Sequence, residues 1–498
     1  MRLPNPPFRR AAAVLAGAMA VLLAGCTVGP DYVRPVLDTP PAFKEAGPWK
    51  TAEPRQVDAS HPWWELYGDS TLSALVQQAN QANQSIRQAQ AQYRQAVALT
   101  NAARAGYAPV VGVNASVTRA LTNSNGIKLG DAYMLGAQAS WEPDIWGSVR
   151  RSVEAGDAGV QASAADLAAA RLSIQALLAQ DYLQLRVTDL LKDLYARTTE
   201  AYTRSLALTR SQYVAGVALR SDVALAESQL ATARAQAIDL QAQRSQLEHA
   251  IAVLTGQAPA SFTLAPEPAD PRRLTQLQAR LPVIPAGLPS QLLERRPDIA
   301  GAERRVAVAN ANIGVAKSAY FPALTLGASA GYNSPSYSQW FNAPSRVWSL
   351  GTALAGTIFD GGLRKAHSEQ AIAAFDAAVA QYKQTVLGGF QEVEDNLATL
   401  RVLDQEAAVQ DQAVKAAQLA ETLALSQYRA GTATYLAVVT AQTLALTNQR
   451  TLVQLVGRQL AASVTLIKAT GGGWDASQPV AATSSPAQTN PQATNAKS

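Results

Sequence analysis

A six-residue phrase occurs twice in the chain. Ser211-Gln212-Tyr213-Val214-Ala215-Gly216 returns as Ser426-Gln427-Tyr428-Arg429-Ala430-Gly431, 431 − 216 = 215 residues later. Laid on each other without a gap, residues 211–256 and 426–471 agree at 12 of 46 positions and close on Thr255-Gly256 and Thr470-Gly471. The period is too long for a solenoid unit, so the chain is a duplicated half of about 200 residues. In each copy a long helical pattern runs into the phrase and a shorter one leaves it. There is no proline from Ser148 to Val214 or from Leu363 to Ala430. At 1.5 Å per residue, one such helix would reach about 100 Å. Glycine just past a helix end supplies the left-handed conformation that stops it. Each phrase therefore reads as the tip of a long antiparallel helical hairpin. Each half runs helix, β-hairpin, long helix, tip, helix.

The helical stretches carry a thin seam. Phe375, Val379, Tyr382, Val386, Val393, Leu397 and Leu400 follow steps of three, four and seven, as do Leu167, Ile174, Leu178 and Leu185. Aromatics make up only 6% of the chain, which suits close-packed helices better than one thick core. Periodicity alone is equally compatible with an elongated soluble coiled coil. A first helix is expected from Asp69 or Ser70 to about Ala105, with Trp63, Trp64 and Tyr67 packed near its start.

Between the helices the period changes to two. Val111, Val113, Ala115 and Val117 alternate with Gly112, Asn114, Ser116 and Thr118, and Tyr133, Leu135, Ala137, Ala139 and Trp141 with small or polar residues. The second half repeats this with Leu324, Leu326, Ala328, Ala330 and Tyr332, and less cleanly with Trp348, Leu350, Leu354 and Ile358. About ten residues is the length of a tilted transmembrane strand, and aromatics near the ends suit an interfacial girdle. Two soluble hairpins with one buried face would alternate in the same way. If the strands do cross a membrane, lipid tolerates no open sheet edge and the smallest barrels have about eight strands. Four strands then need two, three or four subunits to close.

The start has the layout of an export signal: Arg9-Arg10, then an apolar run from Ala11 to Leu23, ending Leu23-Ala24-Gly25-Cys26. That ending resembles the lipobox of bacterial lipoproteins, in which the cysteine is acylated and becomes the mature N-terminus. Thr27, not Asp, follows it, which by the same analogy favours the outer membrane. Cys26 is the only cysteine, so an intrachain disulfide and a cysteine-rich metal site are excluded. His61, His249 and His367 lack ligand-like spacing. Net charge is +5, of which Arg2, Arg9 and Arg10 supply three, leaving no electrostatic footprint for nucleic acid. No nucleotide loop or nucleophile–base pair is evident, so no enzyme, cofactor or metal is expected. Pro297 suits a first helical position, with Asp298 where the helix dipole favours an acid.

Taken in order, these stretches resemble the TolC-like outer membrane factors, in their lipoprotein branch. The resemblance rests on Cys26-Thr27-Val28-Gly29-Pro30-Asp31-Tyr32, Arg34-Pro35, Trp63-Trp64 with Gly68-Asp69, Arg296-Pro297-Asp298-Ile299, Ala302-Glu303, Asn310, Ile313-Gly314-Val315-Ala316 and Phe321-Pro322. It implies a mainly α fold with a transmembrane β part: a homotrimer with a long α-helical coiled-coil barrel and a 12-stranded β-barrel in the outer membrane. It also implies a periplasmic adaptor protein, an inner-membrane pump of the RND type and outer membrane lipid as partners. The function implied is a passive exit duct for drugs or other small molecules. A duct for protein secretion and a purely structural coiled-coil envelope lipoprotein are the alternatives.

The tips Val214, Ala215, Gly216, Val217 and Arg429, Ala430, Gly431, Thr432 match the loops that meet the adaptor in that family. Leu436 matches an apolar gate residue. Thr440 and Thr443 fall where relatives often place an acid and a base. Arg220 and Asp222 could supply charge to the aperture instead, or Asp222 could be only a first-turn acid. The expected layout is a signal peptide over 1–25 and an extended lipid-linked segment over 26–69. A first repeat over 70–256 holds a hairpin at 107–146 and a tip at 214–217, and a connector over 257–289 follows. A second repeat over 290–471 holds a hairpin at 320–360 and a tip at 429–432, before a disordered tail over 472–498.

Overall fold

The computed structural model describes residues 27–45, 62–122, 128–267, 270, 272–282, 284 and 289–474. The duplication is visible in the helix lengths. Helices α1 (Ser70–Ala82) and α2 (Gln84–Ala105) lead to strands β1 (Val110–Thr122) and β2 (Lys128–Trp141), then to α3 (Ser148–Val214) and α4 (Arg220–Leu254). The second half has α6 (Pro289–Arg295), α7 (Pro297–Ser318), β3 (Ala323–Ser334), β4 (Arg346–Ala355), α8 (Leu363–Arg429) and α9 (Tyr435–Ala469). A short helix α5 (Arg273–Ala279) lies in the connector. Both long helices have 67 residues and both return helices have 35.

The helix expected from Ser70 to Ala105 is in fact two. It breaks at Asn83, whose backbone is extended and whose side-chain Oδ1 caps α2 by accepting from Ser85 and Ile86 N–H. The repeat explains the break. Asn83 Nδ2 also donates to the Leu254 carbonyl at 2.9 Å, at the end of α4. In the other half Arg296 Nη1 donates to the Ala469 carbonyl at 3.0 Å, at the end of α9. Leu254 and Ala469 are the same repeat position, 469 − 254 = 215. Each return helix thus runs end to end into the short helix above it, and a polar side chain at the joint satisfies an orphan carbonyl. The joints are close. A Cβ on Gly256 (φ 74°) would lie 2.6 Å from the Ala82 carbonyl oxygen.

Arg296 is buried and also meets Asp298 at 2.6 Å and Glu392 at 2.8 Å. Arg296→Met should lower stability by about 3 kcal/mol, because a buried carbonyl and two carboxylates lose one fork. Arg296→Lys should recover little of it. The thermal unfolding midpoint of the detergent-solubilised protein checks both.

The apolar residues of α1, α3, α4 and α9 form one core, with Trp63, Trp64 and Tyr67 of a short 3-10 turn at its edge. Asp69 caps α1 and accepts from Tyr182 Oη at 2.8 Å and Arg280 at 3.0 Å. The described part of the N-terminal lead lies along the body. Val28 N–H donates to Trp146 O, Asn310 to Pro30 O, and Arg151 to Asp31 at 2.9 Å. Gly29 (φ 102°) is pressed against Gly314, where a Cβ would come within 2.5 Å of Cα. Tyr32 donates to Glu303. Phe43 is buried against Leu292, Val393 and Leu397, and Glu394 accepts from the Lys44 and Glu45 N–H groups.

The four strands form one antiparallel sheet in the order β1-β2-β3-β4. Its register sorts the side chains. Val113 pairs with Ala137, Ala137 with Ala330 and Ala330 with Trp348; Leu135 pairs with Ala115 and Tyr332, and Leu350 with Ala328. One face therefore collects Val111, Val113, Val117, Leu135, Leu324, Leu326, Trp348, Leu350 and Leu354. The other carries Gly112, Asn114, Ser116, Gln138, Gly327, Ser329, Ser349 and Gly351, with Ser329 and Ser349 hydroxyls 2.8 Å apart. Ile358 does not belong to this pattern. β4 ends at Ala355, and the Gly356–Gly362 stretch turns into α8.

Candidate functional site: the helical tips and the open sheet

The two hairpin tips have matching backbones. Gly216 has φ 73° and Gly431 φ 75°. Val217 N–H reaches back to Gln212 O at 2.9 Å, and Thr432 N–H to Gln427 O at 3.0 Å. These six-residue closures require the left-handed glycine. The side chains differ. Val214, Val217 and Leu219 are each at least 70% exposed on the first tip, an apolar knob. The second presents Arg429, Thr432 and Thr434 instead.

Behind the second tip, Leu436, Thr440 and Thr443 form one exposed stripe of α9, while Tyr435, Val438 and Gln442 face the protein. Thr440 donates its hydroxyl to its own Leu436 carbonyl at 2.9 Å. Asp222 sits in the first turn of α4. Its carboxylate accepts from Leu219 N–H at 3.1 Å, so it caps α4, which is the first-turn reading of this acid. Arg220 is exposed beside Glu227, which Arg210 already holds at 2.7 Å.

Sequence reasoning missed a buried polar seam under the tips. Tyr428 and Tyr435 rings lie 5.3 Å apart, and Tyr428 Oη donates to Thr209 Oγ1 at 3.4 Å. One layer further in, Tyr202 donates to Gln442 O at 3.4 Å and Gln442 Nε2 to Ser205 Oγ at 3.3 Å. Burial pushes the Tyr202 and Tyr435 phenols up to about 12, so both stay neutral. The signal was present: Tyr202, Ser205 and Thr209 are spaced three and four apart, and Tyr428, Tyr435 and Gln442 by sevens. Looking only for apolar seams hid it.

Cys26 lies outside the described residues, as do the signal segment and residues 475–498 of the tail; 472–474 form a turn on the end of α9. Thr27, next to Cys26, packs on Gly147 at the junction between the sheet and α3.

A long helical body capped by a sheet with two open edges and one face that is apolar up to its outer rim is the subunit of a membrane channel that neighbours complete. The outer membrane efflux protein family model matches residues 75–257 and 288–472, one block per repeat, and the chain belongs to that family. It is 31% identical over 438 residues to the pyoverdine export outer membrane protein OpmQ of Pseudomonas aeruginosa, covering 86% of this chain and 90% of that one. It is 31% identical over 471 residues to the toluene efflux pump outer membrane protein TtgC of Pseudomonas putida, covering 91% and 94%. Among solved structures, the outer-membrane channel OprN superposes with TM-score 0.80 at 32% identity, over 90% of this chain and all of that one. The open-state MtrE channel of Neisseria gonorrhoeae gives 0.78 at 27%, over 90% and 98%. The fold is therefore mainly α with a transmembrane β part, in which three chains of four strands close a twelve-stranded barrel.

Proposed function

We propose that the trimer is the passive exit duct of a tripartite efflux system, carrying small molecules from an inner-membrane pump of the RND type to the exterior. The observation that carries this reading is the sheet register. It gathers most large apolar side chains of the strands on one face and leaves mainly small or polar residues on the other, with Val110, Met134 and Val347 as the exceptions, as a lipid-facing wall and a water-filled lumen require. Single-channel recording on the purified trimer tests it. Discrete ion conductance is expected, and a silent trimer would leave only a structural role.

The tips are the adaptor-docking surface in this reading, and Leu436, Thr440 and Thr443 line the closed periplasmic end. Energy comes from the pump, and adaptor docking biases a helix shift that opens the end. The seam under the tips suits such a shift, since its side-chain bonds of 3.3–3.4 Å are long and Gln442 Oε1 has no partner among the described residues.

Cys26 carries the lipid anchor in this reading. The lead is pinned at the junction of sheet and helices, one residue after Cys26, where an acyl chain would enter the inner leaflet of the outer membrane. Cys26→Ser should remove the acyl mass from the mature chain in intact-protein mass spectrometry. Trimer assembly should survive, because the strands, not the lipid, hold the body in the membrane.

A further inference from the structure

We propose that the outer rim of the sheet's apolar face is a binding site for a phosphorylated glycolipid of the outer leaflet, with Arg346 as the phosphate ligand. The inference rests on the barrel reading and adds a ligand to it.

Along this face the strands carry no Asp, Glu, Lys or Arg from Val111 to Val117, from Tyr133 to Trp141 or from Leu324 to Ser334. Charge begins only at the end away from the helices. There Arg346 opens β4 directly opposite Tyr332, and Arg119 faces Asp131. An arginine on a lipid-facing wall is tolerated where its head reaches the interface and finds an anion. Arg119 has Asp131, loosely, at 3.6 Å. Arg346 is exposed and has no ion-pair partner among the described residues.

The β3–β4 connection folds aromatic rings onto the same place. Tyr133 meets Trp340 at 5.5 Å and Tyr337 at 5.9 Å, Tyr332 meets Phe341 at 5.5 Å, and Trp340 stacks on Phe341 at 5.0 Å. Tyr337 and Phe341 remain 72% and 59% exposed. Such rings fit the apolar faces of sugar rings, and an arginine fork fits a phosphate. The helix-side end differs. There Trp146 stacks on Phe321 at 4.7 Å, and Arg364, over the Tyr320 ring, is already held by Asp360 at 2.6 Å. Arg346, beside the exposed rings of Tyr337 and Phe341, thus lies at the outer leaflet, whose headgroups are phosphorylated sugars.

The purified trimer in detergent should retain bisphosphorylated lipid A as adducts in native mass spectrometry, and its melting temperature should rise with that lipid. Arg346→Ala should lower retention about tenfold, as expected for one lost charge-assisted bond, and Tyr337→Ala should lower it too. Dephosphorylated lipid A should be retained weakly. Equal retention by wild type and Arg346→Ala would overturn the proposal. So would retention of phosphatidylglycerol as strong as that of lipid A, which would reduce the site to a general preference for anions. A stable trimer that binds no lipid A refutes the site and leaves the barrel; a chain recovered only as monomer refutes both.

Discussion

Cells that depend on this duct for drug resistance should fall to the level of a deletion strain when Gly431 is replaced by tryptophan, while trimers remain in the outer membrane. The argument combines two observations at one residue. Gly431 has φ 75°, which costs a side-chain-bearing residue roughly 1–2 kcal/mol. A Cβ there meets nothing within 4 Å, so a side chain starts out into open space. The fold survives and the bulk projects where a docking partner must sit. Gly431→Ala carries the same strain without the bulk and should retain most export. Gly216→Trp on the first tip should act in the same way. The assay is minimal inhibitory concentration alongside an immunoblot of membrane trimers. Unchanged resistance in the tryptophan variants would remove the tips from docking.

Leu436→Ser should raise the leak of the isolated trimer in planar bilayers. Leu436 is 60% exposed in the single chain, on the stripe with Thr440 and Thr443. Three leucines meeting at an axis close a pore by excluding water as well as by contact. Burying one leucine side chain is worth about 1.5–3 kcal/mol, so losing a single such contribution shifts the closed–open balance about tenfold or more. Thr440→Ser, which keeps a hydroxyl able to donate to the Leu436 carbonyl, should leave the leak unchanged. A closed Leu436→Ser channel would move the gate elsewhere on α9.

Much of this architecture could be read from residue order. The repeated phrase located both tips, because a glycine stop after a proline-free run has few other meanings. Alternation located the strands, less cleanly in the fourth, and the register then turned alternation into two faces, which periodicity alone could not do. What escaped had no local signature. The break at Asn83 lacks proline and glycine; it exists because the end of α4 arrives there and its carbonyl needs a donor, a contact 171 residues away. The hydrogen bond by which Asp222 caps α4 at Leu219 N–H likewise left no mark in the sequence that would separate a first-turn acid from one that charges the aperture. Arg346 drew no notice in the sequence, since only the pairing with Tyr332 and the folded-back loop set it among aromatics.

Equal arms have a cost for the evolution of such a tube. One residue inserted into α3 alone would advance its tip by about 1.5 Å and swing everything beyond it by about 100°. The rim would become uneven around the axis, and Tyr202, Ser205 and Thr209 would leave their partners on the other arm. Lengthening is therefore expected as matched changes of whole heptads in α3, α4, α8 and α9 together. The reach of the duct toward its pump is in that sense quantised.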